Sequence, residues 1–385
     1  MPSIKLIFAL LVGCVAWFSV VGRAGALDRV TLSRDGEQRS VDGKLQVKAA
    51  DGGLLVMARD GVLWSVPPEE LVEHTADDVA FRPYSPDELE QHLGQQLPPG
   101  FQFHQTAHFL ICHGTSKAYA QWCGALFERL YRAFANYWRR AGFNLREPEF
   151  PLVAIVFPDE ASYREFARDE LGDGVDSIIG YYSLRTNRMT MYDLTGSDAL
   201  RRGGDRRGTA ATINRILSRP EAERTVATIV HEATHQIAFN CGLQTRYADI
   251  PLWVSEGIAV YFEAPDLRSA RGWSTVRAVN QVRLAVFRDY LTRRPPRSLE
   301  SLAADDSRFR DARQSGDAYA EAWAFNYFLL RQRPRQYHAY LARLAKKGPL
   351  IWDTPETRLS AFREAFGADL EELDAEFLRH MSKVR

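Results

Sequence analysis

His231-Glu232-Ala233-Thr234-His235 lies within the segment from Pro220 to Gly242, and this segment settles how the second half of the chain is read. Pro220 suits a first helical turn, Glu221 and Glu223 favour the positive end of a helix dipole, and Gly242 is a stop signal, so a helix is predicted here. Residues four apart share a helix face, which stacks the His231 and His235 imidazoles one turn apart where both can grip one metal ion. A tetrahedral catalytic Zn²⁺ needs a third protein ligand and an open position for water. Past His235, Trp253-Val254-Ser255-Glu256-Gly257-Ile258-Ala259-Val260-Tyr261-Phe262-Glu263 reads as a second helix with a carboxylate in its first turn, Glu256, twenty-one residues after His235. Glu256 is the natural third ligand, and Glu232, beside the metal without binding it, is placed to take a water proton. A structural metal site would need neither Glu232 nor an open position.

Working outward, the preceding residues predict a mixed sheet with helices. His108 to Cys112 is an apolar strand candidate feeding a helix whose Tyr119, Trp122, Cys123, Leu126, Leu130, Phe134 and Tyr137 recur every three to four residues. Leu152 to Phe157 has buried-strand composition, residues 160–171 have helical periodicity, and Ile178 to Ser183 pairs with Arg188 to Tyr192 across a turn at Thr186-Asn187. Residues 196–219 carry six Arg and read as a solvated surface insertion, with a lid role left open. Beyond Pro295-Pro296, residues 356–366 and 369–383 have helical periodicity.

Towards the N-terminus, Asp35-Gly36, Asp42-Gly43, Asp51-Gly52-Gly53 and Asp60-Gly61 are closely spaced turn signals between short alternating runs, predicting a small antiparallel barrel or meander. Residues 83–105, rich in Pro and Gly, read as a linker with one short helix at 87–96. The expected organisation is a leader at 1–26, a small β domain at 27–82, the linker at 83–105, a catalytic α+β domain at 106–274 and its helical part at 275–385.

Lys5, an apolar run from Leu6 to Val21 and Ala24-Gly25-Ala26 resemble a secretory signal peptide, so the protein is expected to be exported to the periplasm, cell surface or medium. The apolar run falls short of the roughly 20 residues that span a bilayer, and no stable membrane span is expected once the leader is cleaved. Leu11-Val12-Gly13-Cys14 offers lipidation at Cys14 as an alternative, against which the apolar run continues past Cys14. Export would leave Cys112, Cys123 and Cys241, which are either one disulfide plus a thiol or three small buried hydrophobes. The 385 residues carry 49 basic and 49 acidic side chains, a balance that argues against a nucleic-acid partner. Only seven of the basic residues are Lys against 42 Arg, a bias that reduces the meaning of any local Arg cluster.

Residues 253–263 also match, at Trp253, Glu256, Gly257, Ala259, Tyr261 and Glu263, the pattern W-x-x-E-G-x-A-x-Y-x-E that follows H-E-x-x-H in the gluzincin metallopeptidases. The chain resembles that group. Residues 106–385 further resemble an uncharacterised bacterial family of secreted gluzincins, most closely at Tyr119 to Tyr131, Arg246 to Glu263 and Phe362 to Phe377. The gap from His235 to Glu256 is slightly longer than in the aminopeptidase branch, so the substrate rules of that branch do not carry over. The resemblance implies a zincin-like fold and an exported zinc-dependent peptidase, with His231, His235 and Glu256 as metal ligands and Glu232 as general base. It also implies Tyr319 as a donor to the developing oxyanion and an edge strand, Ile178 to Ser183 or Arg188 to Tyr192, that aligns an extended peptide or protein substrate. Glu263, on the same helix face as Glu256, could accept a hydrogen bond from a ligand imidazole. The rival expectations are a catalytically silent zincin-fold binding protein at the cell surface and a zinc amidase acting on peptidoglycan peptides.

Overall fold

A computed structural model describes residues 25–196, 209–264, 273 and 278–385. The leader expected at 1–26 and Cys14 lie almost wholly outside the described residues, as do residues 197–208 of the Arg-rich segment. Among the described residues, no helix is long and apolar enough to cross a membrane.

The chain opens with five antiparallel strands: β1 (Ala26–Arg34), β2 (Glu37–Lys48), β3 (Leu54–Ala58), β4 (Leu63–Val66) and β5 (Leu71–Ala80). Their order, β4-β3-β2-β1-β5, makes an open meander in which β5 returns to flank β1. Asp35 and Gly36 both have positive φ, as a two-residue hairpin turn requires. Asp42-Gly43 is no turn: Gly43 lies inside β2, where a Cβ would sit 2.5 Å from the Met57 carbonyl of β3, so close backbone approach, and not chain reversal, demands glycine there. One face of the sheet buries Val30, Leu32, Val41, Leu54 and Val56. On the other face, Leu55, Met57 and Leu63 pack against Phe150 of the following domain.

Then come α1 (Pro86–Gly94), β6 (Gln102–Gln105), β7 (Phe109–His113), α2 (Lys117–Arg140), β8 (Leu152–Phe157), α3 (Glu160–Leu171), β9 (Gly180–Tyr182) and β10 (Arg188–Tyr192). The second sheet has the order β6-β7-β8-β10-β9, with β7, β8 and β10 parallel and both edge strands antiparallel. The expected linker is thus part of this domain, since Gln102–Gln105 forms an edge strand and Leu89, Leu93 and Leu97 enter the main core. Four mostly polar residues paired on one side only carry no alternation, which hides β6 from sequence reading. Successive residues of β9 face opposite sides. The Tyr181 hydroxyl donates to Glu170 of α3, whereas Tyr182 stacks on Phe239 of the helix on the other side.

The remaining elements are helical: α4 (Ala210–Leu217), α5 (Pro220–Asn240), α6 (Leu252–Phe262), α7 (Gln281–Tyr290), α8 (Ser298–Ala304), α9 (Ser307–Arg310), α10 (Ser315–Gln332), α11 (Pro334–Leu344), α12 (Pro355–Phe366) and α13 (Leu370–Met381). The whole is α+β, a small all-β unit followed by a mixed sheet and a helical C-terminal part. Against the expectation of a solvated insertion, α4 buries Ile213, Ile216 and Leu217, because its apolar residues recur at helical spacing between the arginines. Cys112, Cys123 and Cys241 are all buried and unbridged, so among the described residues there is no disulfide and the three pack as small hydrophobes.

Candidate metal centre

The two helices that carry the site are held by polar contacts from elsewhere in the fold. Gln236, next to His235 on α5, is fully buried and its Nε2 donates to the Val153 and Asn187 carbonyls of the sheet at 2.9 Å each. The first turn of α6 has no side-chain cap of its own, and Asp306 supplies one by accepting from the Leu252 N–H at 2.9 Å. Arg358 holds Asp306 and also pairs with Asp249. On α6, a Cβ at Gly257 would lie 1.9 Å from Asn326 Nδ2 of α10, and that amide donates to the Trp253 and Ala322 carbonyls. Glycine at 257 therefore lets α10 approach α6 and satisfy its backbone.

This packing brings His231, His235 and Glu256 together, all buried, with their donor atoms within 4.8 Å of one another. His231 Nε2 lies 3.1 Å from His235 Nε2 and 3.1 Å from Glu256 Oε2, and His235 Nε2 lies 3.4 Å from Glu256 Oε2. Ligands of a tetrahedral ion bound at about 2.0–2.1 Å are separated by roughly 3.3 Å, so the three atoms already have that spacing. Each imidazole is held from behind. His231 Nδ1–H donates to Glu263 Oε2 at 3.2 Å, and His235 Nδ1 lies 3.4 Å from the Ser255 hydroxyl, which donates to Gln244. Such contacts direct Nε2 of each ring at the cluster. Glu263 is in turn held by Asn280 Nδ2 at 2.8 Å and Arg283 Nε at 3.1 Å.

Electrostatics also call for a cation. Among the described residues, the buried carboxylates Glu232, Glu256 and Glu263 face one permanent cation, Arg283, and two imidazoles. Burial alone would keep His231 neutral, but hydrogen bonds to Glu256 and Glu263 outweigh it and push its pKa up to about 10. Burial would likewise raise Glu256, yet His235 and His231 hold it well below the usual carboxylate range. Glu263 is pulled down to about 2, its burial outweighed by Arg283 and His231. Glu232 goes the other way, raised chiefly by burial. A divalent ion at the three donor atoms would balance the excess of carboxylates, so the residues present fit a metal.

Glu232 Oε2 accepts the Tyr182 N–H at 2.9 Å, while Oε1 is buried and accepts no hydrogen bond among the described residues. A buried carboxylate oxygen left so costs about 1–3 kcal/mol, which suits an atom reserved for an incoming group. Tyr319, nine per cent exposed, lies near enough to Glu256 and Glu232 for both charges to act on its phenol. Burial first, then the charges of Glu256 and Glu232, push its phenol well above the usual range. A family model described as "Protein of unknown function (DUF1570)" matches residues 225–351, from the middle of α5 to just beyond α11. No curated protein matches the chain.

Of the two candidate edge strands, β9 is the edge; β10 lies inside the sheet between β8 and β9. Of the tyrosines on this strand pair, Tyr182 lines the cavity at the cluster, while Tyr192 packs on Tyr163 of α3 and Tyr181 bonds to α3. Ser255, Gln244, Asn280, Arg283 and the Tyr182 N–H escape sequence reading. Ser255 could have been weighed from its place beside Glu256, but a Glu263–Arg283 pair twenty residues apart leaves no periodic trace.

Proposed function

We propose that this protein is an exported zinc-dependent peptidase in which Glu232 is the general base. The observation that carries the proposal is the pairing of a preformed His-His-Glu ligand set with Glu232 Oε1, a buried carboxylate oxygen with no partner in the same cavity. Two imidazoles and one carboxylate are a donor set that suits Zn²⁺ and leave a fourth position open. When bound, the ion would supply Lewis acidity to a water and to a substrate carbonyl. Glu232, fixed through Oε2 by the Tyr182 N–H, takes the water proton on Oε1 as oxygen bonds to the carbonyl carbon. The same carboxyl then delivers that proton to the departing amine as the C–N bond breaks, giving a carboxylate and an amine. Tyr319 stands beside Glu256, where its hydroxyl can donate to the oxygen that gains charge. The free side of β9, whose Tyr182 N–H already reaches Glu232, supports alignment of an extended peptide along this edge. Export is supported by the leader-like residues 1–26 alone.

The test is incubation of the zinc-loaded chain with a broad peptide mixture, with and without a chelator. Chelator-sensitive appearance of new amine termini supports the proposal; stoichiometric zinc binding with no cleavage favours a binding protein. Release of peptides from purified sacculi, with no cleavage of protein or free peptide, favours the peptidoglycan amidase.

A further inference from the structure

Helix α5 carries two neighbouring stripes of polar side chains. His231 and His235 belong to one; Glu232, Gln236 and Asn240, each four residues after the last, form the other. Every member of the second stripe bonds to the β9–β10 hairpin. Glu232 Oε2 accepts the Tyr182 N–H at 2.9 Å, and Gln236 Nε2 donates to the Asn187 carbonyl at 2.9 Å. Asn240 forms a reciprocal amide pair with Asn187: Asn187 Nδ2 donates to Asn240 Oδ1 at 2.8 Å, and Asn240 Nδ2 donates back to Asn187 Oδ1 at 2.7 Å. Asn187 Oδ1 also accepts the Tyr182 hydroxyl at 2.7 Å. Tyr182 is thus tied to the stripe twice, through its backbone at Glu232 and through its side chain, by way of Asn187, at Asn240. Asn187 is three per cent exposed and left-handed at φ 61°, a turn conformation that asparagine tolerates, but its side chain and carbonyl are both turned to α5. From the other side, the Leu63 N–H of the N-terminal sheet donates to the Arg185 carbonyl of the same turn at 2.8 Å.

We infer that Asn187 and Asn240 are positioning residues: their amide pair fixes β9 against α5 and thereby sets where the Glu232 carboxylate stands for proton transfer. The inference rests on the peptidase reading. Among the described residues the Glu232 carboxylate accepts one hydrogen bond, from the Tyr182 N–H, so its orientation is no better fixed than that N–H. The N–H belongs to a strand of three residues at the edge of the sheet, with β10 on one side and no strand on the other. The Ser183 N–H donates to the Arg188 carbonyl at 2.9 Å, which pairs the hairpin internally and leaves the Tyr182 N–H pointing away from β10. Pairing within the hairpin therefore does not set its distance from α5; the bonds of Gln236 and of the Asn187–Asn240 pair do. A buried amide pair adds little net stability over apolar packing, but its bonds have fixed directions, and a proton acceptor misplaced by 1 Å loses most of its effect.

The experiment compares the full, zinc-loaded wild-type chain with Asn240→Ala and with Tyr182→Phe, reading amide hydrogen exchange residue by residue. Tyr182→Phe keeps the ring that stacks on Phe239 and removes the hydroxyl that reaches Asn187, so it serves if Asn240→Ala does not fold. The amide of residue 182 should exchange about tenfold faster in the variants, the loss expected for one hydrogen bond, while the Ser183 amide keeps its wild-type rate. Peptide turnover should show kcat about tenfold lower, with KM and zinc affinity unchanged. Equal acceleration at 182 and 183 would mean that the hairpin frays as a unit and that the pair is merely structural, which overturns the inference. Wild-type exchange at 182 in a folded variant overturns it as well. Faster exchange at 182 with unaltered kcat overturns it and leaves the peptidase reading standing, whereas no peptide cleavage by the wild-type chain removes that reading and the inference with it.

Discussion

The backbone N–H of Tyr182 donates to Glu232 Oε2 at 2.9 Å across fifty residues of chain, tying the edge of the sheet to the helix that carries the metal ligands. One carboxylate oxygen is thereby anchored and the other left unbonded in a buried site. Glu232→Gln keeps the shape and an acceptor for Tyr182 but removes the proton acceptor. Zinc content by elemental analysis should be unchanged, while peptide turnover falls roughly 10²–10⁴-fold. Turnover near the wild-type rate would remove Glu232 from the general-base role.

Glu256→Ala should behave in the opposite way. It removes one of three converging donors, so the purified variant should retain little zinc and lose activity with it. Full zinc occupancy in the variant would point to Glu263 as the third ligand.

Arg283 and Asn280 hold Glu263, which orients His231. Arg283→Gln should weaken zinc binding about 10–100-fold in competition with a chromophoric chelator. An unchanged affinity would reduce Arg283 to a packing residue.

Gly257 faces Asn326 across the α6–α10 contact, with 1.9 Å where a Cβ would need more than 3 Å. Gly257→Ala must push the helices apart and release the amide from the Trp253 carbonyl, costing about 1–3 kcal/mol in chemical denaturation. Because Glu256 is the adjacent residue, zinc affinity should fall in parallel.

Burial would raise the Asp249 carboxyl, but Arg358 and Lys347 outweigh it and hold it below its ordinary value of 3.8. The folded state therefore binds fewer protons than the unfolded chain between the depressed value and 3.8. Stability from this group is complete above pH 3.8 and is lost as pH falls through the folded value. Unfolding followed from pH 6 downward should be less acid-sensitive in Asp249→Asn than in the wild type, although the variant is weaker near neutrality. Parallel acid limbs would show that Asp249 is not the linked group.

Local periodicity and end signals made much of the fold legible. Helices α2, α3, α5, α6, α12 and α13 lie within a few residues of their expected bounds, and β9 pairs with β10 across the predicted turn. Helices α2, α3, α12 and α13 declare themselves because each buries one face, and a buried face leaves a period in the sequence, whereas α6 is buried all round and was legible from its motif. The candidate cluster was legible for a similar reason, since two of its members sit one helical turn apart and the third opens the next helix. Edge strand β6 and the buried half of the Arg-rich segment were missed, the first for lack of alternation and the second because arginines obscure the three apolar residues of α4.

By itself, the sequence determined the α+β class, the site helices and the identity of the candidate ligands, all properties of residues near one another along the chain. Only the tertiary structure decided that the Tyr182 N–H meets Glu232, that Arg283 braces Glu263 and that Asp306 caps α6. Each of these joins residues from different elements. Contacts of that kind are chosen by how whole helices and sheets pack, and no local period records them.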